Sequence, residues 1–306
     1  MKVLFVCSGN SQFGISPLVK SQGESLRNNG IDIEYFTFRG NFLGGYPAGI
    51  LKLRKYLKSH KFDIIHAHYS ISAFAATFAG AKPLVVSLMG GNVKGGCLVQ
   101  SFTRFLHKYR WKAAIVKSER TKNHIKITDA LVVPNGVDFE KFKFIDKNTA
   151  RSKVNFNNKK HIIFAANPKI KEKNYQLTAA AFKLLNAQDV ELNIVSGIDH
   201  NLIPYYMYAA DVLILTSSSE GSPNVIKEAM VCNLPIVSTD VGDVKQIISG
   251  TAGCYISSYD PTDVADKLKK ALNFGKPTNG RDNVKHLEIN AVARKIIDIY
   301  NRVLSQ

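Results

Sequence analysis

Several features are scarce in this 306-residue chain, and each scarcity argues against a class of protein. Its four cysteines stand far apart with no C-x-x-C pair, which argues against a disulfide framework and against a cysteine metal site. No apolar window approaches the roughly 18 residues of a membrane span. The opening run MKVLFVC is too short for a signal peptide. We therefore expect a cytoplasmic protein with reduced thiols.

Acidic residues are scarce as well, because 24 Asp and Glu stand against 41 Lys and Arg, for a formal net charge of +17. The excess is uneven. Residues 1–147 hold 22 Lys and Arg and 9 Asp and Glu, whereas residues 148–306 hold 19 and 15. A solvated basic surface accounts for this charge, and so does an anionic partner: a lipid surface, a nucleic acid or a phosphorylated acceptor.

Aromatic residues are interleaved with cations around residues 104–126. Phe102, Phe105, Tyr109 and Trp111 are the aromatic members of this stretch. Such a mixture suits a helix that lies at a membrane interface, although aromatics at helical spacing also pack into cores.

Several cofactor and nucleic-acid motifs are missing. The chain has no G-x-G-x-x-G fingerprint, no Asp-x-Asp clamp at a strand end and no helix-turn-helix, zinc-finger or aromatic RNA-binding signature. We therefore expect no metal, no dinucleotide cofactor and no nucleic-acid partner.

Short apolar runs alternate with longer amphipathic segments, the pattern of a parallel sheet with helices on both faces. Strands are predicted at 2–7, 31–37, 62–66, 84–88, 113–117 and 130–133, and again at 161–166, 191–195, 211–215, 235–238 and 253–256. We predict an α/β protein with two Rossmann-like doubly wound domains, 1–147 and 148–285, that face a cleft. A C-terminal helix within 286–306 is expected to pack back on the first domain.

A strand-turn-helix junction surrounds the stretch SSSEGSPNVIKEAM (217–230). The helix is predicted to begin near Pro223, because proline suits the first helical position. The free amides of a helix start can hold a phosphate or a sugar oxygen. Glu220, before the helix, can accept hydrogen bonds from sugar hydroxyls, and Glu228, within it, from two vicinal hydroxyls of a ribose. Two glutamates eight apart are also common on surfaces, so the spacing alone leaves both interpretations open.

Three further motifs follow strands of the first half. In SGNSQFGISP (8–17), Gly9 and Gly14 allow the backbone to approach a phosphate, and we select Gly14. In HAHYS (66–70), we expect His66 and His68 to point to opposite faces of the strand, and we select His68 to face the cleft, with His66 in reserve. The glycine-rich MGGNVKGG (89–96) predicts a loop that moves near a ligand.

The stretch SSSEGSPNVIKEAMVCNLPIVSTDVGD (217–243) resembles the hallmark of the retaining glycosyltransferases of family 4, S-x-x-E-G-x-P-x-x-x-x-E-A-M-A-x-G-x-P-V-V. It departs from that hallmark at Val231 and Asn233, which look structural. PNGVD (134–138) is similar to the turn that commonly closes the first domain in this family. The resemblance covers most of residues 130–250 and implies the two-domain GT-B fold.

The resemblance also implies a nucleotide-sugar donor. In the family, a lysine in a G-R-L-x-x-x-K-G run contacts the donor diphosphate. AANPKIKEKN (165–174) places Lys173 at that position, whereas Pro168 stands in place of the family arginine. Lys169 or Lys171 could supply the missing charge.

The expected site therefore has two groups of residues. His68 and Glu220 are assigned to catalysis, and the donor-binding residues are Gly14, Lys169, Lys173, Gly221, Ser222, Pro223, Asn224, Val225 and Glu228. The resemblance implies sugar transfer with retention, without metal, to a glycan, a lipid-linked molecule or another acceptor in cell-surface polysaccharide synthesis. The enzyme would be cytoplasmic or peripheral on the inner face of the membrane.

Two alternatives remain open from the sequence. A basic protein that binds nucleic acid or membrane without catalysis would explain the net charge of +17. A nucleotide-sugar epimerase of related fold would turn over the donor without an acceptor.

Overall fold

The computed structural model describes residues 1–10, 14–40, 45–89 and 96–306. It divides into two compact units, the first made of Met1–Gly136 with Ile289–Gln306 and the second of Val137–Glu288. These limits differ from the predicted boundaries at 147 and 285. The reason is packing: Val137, Phe142 and Leu287 are already buried in the core of the second unit.

The secondary structure alternates as the sequence predicted. The strands are β1 (Lys2–Ser8), β2 (Asp32–Phe38), β3 (Ile64–His68), β4 (Leu84–Leu88), β5 (Ala113–Val116), β6 (Leu131–Val132), β7 (Lys160–Phe164), β8 (Val190–Ile194), β9 (Val212–Leu215), β10 (Ile236–Thr239) and β11 (Cys254–Ser257). The α-helices are α1 (Pro17–Asn28), α2 (Gly45–Ser59), α3 (Ser70–Ala79), α4 (Cys97–Arg110), α5 (Glu119–Ile125), α6 (Lys147–Val154), α7 (Tyr175–Leu185), α8 (Ile203–Ala209), α9 (Asn224–Val231), α10 (Val244–Ile248), α11 (Pro261–Phe274), α12 (Gly280–Asn283) and α13 (Ile289–Leu304).

The first unit is built on a parallel sheet in the order β2-β1-β3-β4-β5-β6. Its central strands β1, β3 and β4 are buried on both sides because helices cover both faces. On one face, Leu53 of α2, Ala76 of α3 and Leu106 of α4 pack against the strands. On the other face, α1 and α13 lie side by side.

Helix α13 shows why the end of the chain returns to the first unit. Its buried residues recur at intervals of one, three and four, which is the spacing of one helical face: Val292, Ala293, Ile296, Ile299, Tyr300 and Val303. These side chains join the same core as Phe5 of β1 and Leu26 of α1. The apolar stripe of α13 is therefore satisfied by the sheet of the first unit.

The second unit repeats the architecture with a parallel sheet in the order β11-β10-β9-β7-β8. Counted within each unit, both sheets contain the strand order 2-1-3-4-5, and the first sheet adds a sixth strand. In such sheets the connections reverse direction beside the first strand, and ligands bind beyond the carboxyl ends of the strands at that point. This switch point lies between β1 and β3 in the first unit and between β7 and β9 in the second.

Local side-chain chemistry sets several helix starts. Ser118 caps α5 by accepting from the N–H of Thr121, and Asp146 caps α6 by accepting from two N–H groups of its first turn. Asp260 caps α11, which has a proline in its first turn. Along the described ranges, no helix has the length and apolar character needed to cross a bilayer.

Candidate functional site

Two loops meet at the switch point of the second sheet. The loop after β7 carries Lys173 and the loop after β9 carries Glu220. The Lys173 Nζ donates to Glu220 Oε1 at 2.6 Å, and the Ser217 hydroxyl donates to the same oxygen at 2.8 Å. Both members of the ion pair keep partial contact with solvent. The structure thus brings together the predicted diphosphate lysine and the predicted sugar-binding glutamate.

Backbone and hydroxyl contacts fix these two loops to each other. The N–H of Ser218 donates to the carbonyl of Glu172 at 2.8 Å. The hydroxyl of Thr216 lies 3.0 Å from the carbonyl oxygen of Asn174 and 2.8 Å from the hydroxyl of Thr178. The short 3-10 turn Lys171–Lys173 is therefore held against the end of β9, and this positions the Lys173 side chain.

Helix α9 begins at Asn224, one residue later than predicted, and Pro223 is its N-cap with an extended backbone. Proline offers no side-chain hydrogen bond to the first turn, so the cap leaves the leading amides of α9 to other partners. Gly221 precedes this turn, and a side chain there would meet open space. Together these features give an amide-rich edge beside the Lys173–Glu220 pair, suited to an anion.

The Ser222 side chain faces inward from this turn. Its hydroxyl donates to Asp243 Oδ2 at 2.6 Å and accepts from Lys227 Nζ at 2.7 Å, and all three side chains are buried. The sequence predicted Ser222 as a donor-binding residue. Because its hydroxyl is already engaged, any role in donor binding is left to its backbone N–H, and that role stays a prediction.

Glu228 lies on α9, where burial raises the pKa of its carboxyl to about 7. The nearby cations Lys141 and Lys227 act in the opposite direction and hold the pKa below what burial alone would give. Lys141 was not singled out in the sequence, because it lies 87 positions away with no motif around it. Only folding places this lysine near Glu228.

The other residues predicted to bind the donor lie on the loop before Lys173 and on the first turn of α9. Lys169 and Lys171 are exposed on the loop that leads to Lys173, so the choice between them stays a prediction. Val225 and Asn224 occupy the first turn of α9 and are half-buried.

Gly14 and His68 belong to the first unit, at the carboxyl ends of β1 and β3. Gly14 has a φ of +74° and open space where a Cβ would stand, so the backbone is accessible there. Residues 11–13 of its loop, and 90–95 of the predicted MGGNVKGG loop, lie outside the described residues.

The prediction that His66 and His68 point to opposite faces was wrong. Residues two apart on a strand share a face, and the two imidazoles stack with centroids 4.3 Å apart. Both are fully buried, which lowers the pKa of His66 to about 3 and that of His68 well below its usual value. His66 bonds to Tyr300 and Ser87, whereas neither ring nitrogen of His68 has a partner among the described residues.

The backbone is strained directly after His68. Tyr69 has a φ of +69° and a ψ of 151°, a region rarely occupied by residues other than glycine. Such a conformation costs about 1–3 kcal/mol and tends to occur at functional sites. The role of His68 in catalysis stays a prediction, and its unpartnered imidazole is a group that a ligand could satisfy.

Two protein families match this chain. Residues 15–141 match the family described as Glycosyltransferase Family 4, and residues 197–273 match the family described as Glycosyl transferases group 1.

Curated relatives are similar over longer stretches. TuaC of Bacillus subtilis (strain 168), named as a teichuronic acid biosynthesis glycosyltransferase, is 24% identical over 215 residues, which are 60% of this chain. The match spans 55% of the length of TuaC. The Escherichia coli UDP-Gal:alpha-D-GlcNAc-diphosphoundecaprenol alpha-1,3-galactosyltransferase is 26% identical over 312 residues, covering 82% of this chain and 78% of that protein.

Solved structures share the fold. Sucrose-phosphate synthase from Thermosynechococcus elongatus superposes with a TM-score of 0.83 at 15% identity, over 100% of this chain and 99% of that chain. Anabaena Alr3699/HepE, in complex with UDP and glucose, superposes with a TM-score of 0.75 at 16% identity, over 99% and 100% of the two chains.

The two doubly wound units and their structural neighbours define the GT-B fold of glycosyltransferases. Within that class, the two partial family matches and the similar curated glycosyltransferases support a member of glycosyltransferase family 4.

Proposed function

We propose that this protein is a retaining glycosyltransferase that moves a sugar from a nucleotide-diphosphate sugar to a glycan, a lipid-linked molecule or another acceptor. The observation that carries the proposal is the Lys173–Glu220 pair at the switch point of the second sheet, beside the uncapped start of α9. A cation and an amide-rich helix start suit a diphosphate, and a carboxylate suits sugar hydroxyls.

The proposed chemistry is the departure of the nucleoside diphosphate. The bond between the sugar C1 and the diphosphate oxygen breaks, and the acceptor oxygen bonds to C1 on the same face. The proton of the acceptor hydroxyl passes to the departing phosphate. Negative charge grows on the diphosphate in this step, and Lys173 with the α9 amides would stabilise it without a metal ion.

The ion pair gives this proposal a specific consequence. Without a donor, Lys173 is held by Glu220 at 2.6 Å. A diphosphate carries more charge than one carboxylate, so it would draw Lys173 toward itself. Glu220 would then be free to accept hydrogen bonds from the transferred sugar, while Glu228 would hold the ribose. Donor binding would therefore replace the Lys173–Glu220 salt bridge by a contact from Lys173 to the diphosphate and a contact from Glu220 to the sugar.

The donor is identified by a thermal-shift panel of uridine, adenosine and guanosine diphosphate sugars. A ligand that binds only the folded state stabilises it by about 2.7 kcal/mol at a hundredfold excess over its Kd. We expect at least one nucleotide sugar to raise the Tm, beginning with uridine donors, since the Escherichia coli relative is named for UDP-Gal. If no nucleotide sugar shifts the Tm, the proposal is wrong.

The acceptor class is proposed from the relatives. TuaC is named for teichuronic acid biosynthesis and the Escherichia coli relative for a diphosphoundecaprenol acceptor. We propose an acceptor of this kind, a glycan or a lipid-linked sugar of the cell surface. Transfer of radiolabelled sugar to a lipid-extractable product tests this class, whereas donor turnover without any acceptor would instead favour an epimerase.

An anionic membrane surface is the second proposed partner, and the helix layer α2–α3–α4 of the first unit supports it. The three helices α2, α3 and α4 contain no Asp or Glu, although they carry seven Lys and Arg. Exposed apolar side chains are concentrated in the same helices, including Leu98, Phe102, Phe105 and Tyr109 of α4. Trp111, by contrast, is buried and bonds through Nε1 to Thr77, so it belongs to the core.

Such a layer suits a peripheral enzyme on the inner face of the membrane. Each Lys or Arg near an anionic surface contributes about 1 kcal/mol, and exposed aromatics add interfacial burial. We expect co-sedimentation with vesicles that contain phosphatidylglycerol. The double variant Leu98→Glu/Phe105→Glu should lose it by at least about tenfold, whereas Leu184→Glu, an exposed leucine of α7 in the second unit, should not. Equal binding by both variants would contradict this partner.

A further inference from the structure

A buried polar network lies behind the proposed donor loop. Lys227 of α9, Ser222 of the preceding turn and Asp243 of the loop after β10 are joined in sequence by bonds of 2.7 and 2.6 Å. Lys227 is 0% exposed, and its neighbours Ile226, Ala229 and Met230 on α9 are buried apolar residues. The network therefore connects the loops that follow two adjacent parallel strands, β9 and β10.

Packing alone does not call for a lysine at position 227. Taking an ammonium group out of water costs several kcal/mol, and an apolar side chain of similar volume would fill the same space at no such cost. Burial lowers the pKa of Lys227 to about 8 and raises the pKa of Asp243, while each of the two charges favours the ionised form of the other. A costly buried pair of this kind is expected to be retained for what it fixes in place.

The hydroxyl of Ser222 has little capacity left for a ligand. A serine hydroxyl has one donor and two acceptor positions. The donor position is used by Asp243 and one acceptor position by Lys227, and the side chain is 8% exposed. Contact between Ser222 and a donor phosphate is therefore left to the backbone N–H.

The loop after β10 also supports the donor loop directly. Gly242 has a φ of +59°, and a Cβ there would stand 2.6 Å from the carbonyl oxygen of Gly221. Thr239 donates through its hydroxyl to the carbonyl of Ser217 at 2.7 Å. The Ser222–Asp243 bond is thus a second hydrogen bond between the end of β10 with its following loop and the loop after β9, and it lies closer to the start of α9.

We infer that Lys227, Ser222 and Asp243 form a positioning network that holds the turn at 220–223 in the conformation that binds the donor diphosphate. The three residues act through the turn and do not touch the donor with their side chains. This inference rests on the proposed function, because it assigns the network to the same donor loop.

A double-mutant cycle on donor affinity tests the network. One arm is Ser222→Ala and the other is Lys227→Met/Asp243→Asn, which removes both buried charges together so that neither is left unpaired. Affinity for UDP, and for whichever nucleotide sugar raises the Tm, is measured by calorimetry. We expect each arm to weaken binding about tenfold, the effect of about one buried hydrogen bond. Both arms break the same network. The variant that combines all three substitutions should therefore bind the nucleotide no more weakly than whichever arm has the lower affinity.

Controls separate positioning from folding and from direct contact. Ser222→Thr keeps the hydroxyl and should recover most of the affinity, and the Tm without ligand reports stability for every variant. If Lys227→Met/Asp243→Asn does not fold, Asp243→Asn alone serves as the second arm. Multiplicative losses in the combined variant would mean that the two arms act on the donor independently, through contact by the Ser222 hydroxyl or through the carboxyl of Glu228 near Lys227, and this overturns the inference. Unchanged affinity in both arms also overturns it while leaving the proposed function intact, whereas no binding by the wild type overturns both.

Discussion

Replacement of Glu228 by glutamine should stabilise the folded protein while weakening its binding of the proposed nucleotide ligand. Burial raises the pKa of this carboxyl from 4.5 to about 7. Below pH 4.5 the group is neutral in both the folded and the unfolded chain. Between pH 4.5 and 7 the unfolded chain ionises first, so unfolding becomes progressively more favourable. Above pH 7 the full loss in the free energy of unfolding is present. It amounts to about 3 kcal/mol, at about 1.4 kcal/mol for each unit by which folding raises the pKa.

Glutamine at position 228 keeps the shape of the side chain and cannot ionise. At pH 8, Glu228→Gln should therefore raise the free energy of unfolding by up to about 3 kcal/mol, an upper bound because Glu228 keeps some contact with solvent. At pH 4 the variant and the wild type should agree within about 0.5 kcal/mol. Urea unfolding between pH 4 and pH 8 measures the difference, and subtraction of the wild-type curve removes the contribution of all other groups.

Glu140→Gln is the matched control, because Glu140 is an exposed carboxylate of the same unit. Its difference curve measures the effect of removing one exposed carboxylate. If the curve for Glu228→Gln does not differ from this control, or if Glu228→Gln destabilises the protein at pH 8, the Glu228 carboxyl is not held in the environment described. Glu228→Gln should also bind nucleotides more weakly than the wild type, since an amide offers one acceptor oxygen to the ribose where a carboxylate offers two.

Further predictions concern the loops and the framework. Gly242→Ala should destabilise the protein by about 2–3 kcal/mol and weaken nucleotide binding at least about tenfold, because a Cβ there meets the Gly221 carbonyl; Gly250→Ala, at a φ of +74° in open space, should cost only about 1 kcal/mol. Tyr300→Phe should cost about 1–2 kcal/mol in urea unfolding, since it removes the hydroxyl that lies 2.6 Å from His66. Asp211→Ala should cost about 2–3 kcal/mol, because the half-buried Asp211 accepts from two basic side chains and one backbone N–H. Losses below about 0.5 kcal/mol in any of these would contradict the corresponding contact.

The fold was largely predictable from the sequence, because parallel strands buried on both faces leave continuous apolar runs. Runs such as FDIIH and DVLIL correspond to β3 and β9 within two residues. The domain boundary was not predictable, because the polar stretch 143–160 after PNGVD resembles a linker. Phe142, just before that stretch, is already buried in the core of the second unit, and a single aromatic residue carries no periodic signal.

The candidate site was predictable where it is local in sequence. Glu220 and the start of α9 belong to one continuous motif, and Lys173 is placed by a second motif. Contacts made through space were missed. Lys141 lies near Glu228 although it belongs to a distant segment, and the bond from Ser222 to Asp243 joins the loops that follow two neighbouring strands. The inward direction of the Ser222 hydroxyl depends on Lys227, which reads in the sequence as one polar position of an amphipathic helix.

The most direct test of the central claim is calorimetric titration of UDP, ADP and GDP into the wild type, Lys173→Ala and Lys183→Ala. Lys183 is an exposed lysine of α7, so its removal controls for the loss of one surface charge. The account predicts saturable binding of at least one nucleotide to the wild type and to Lys183→Ala, with affinity at least about tenfold weaker for Lys173→Ala. Equal affinity in all three proteins would show that the diphosphate is held elsewhere and would contradict the account.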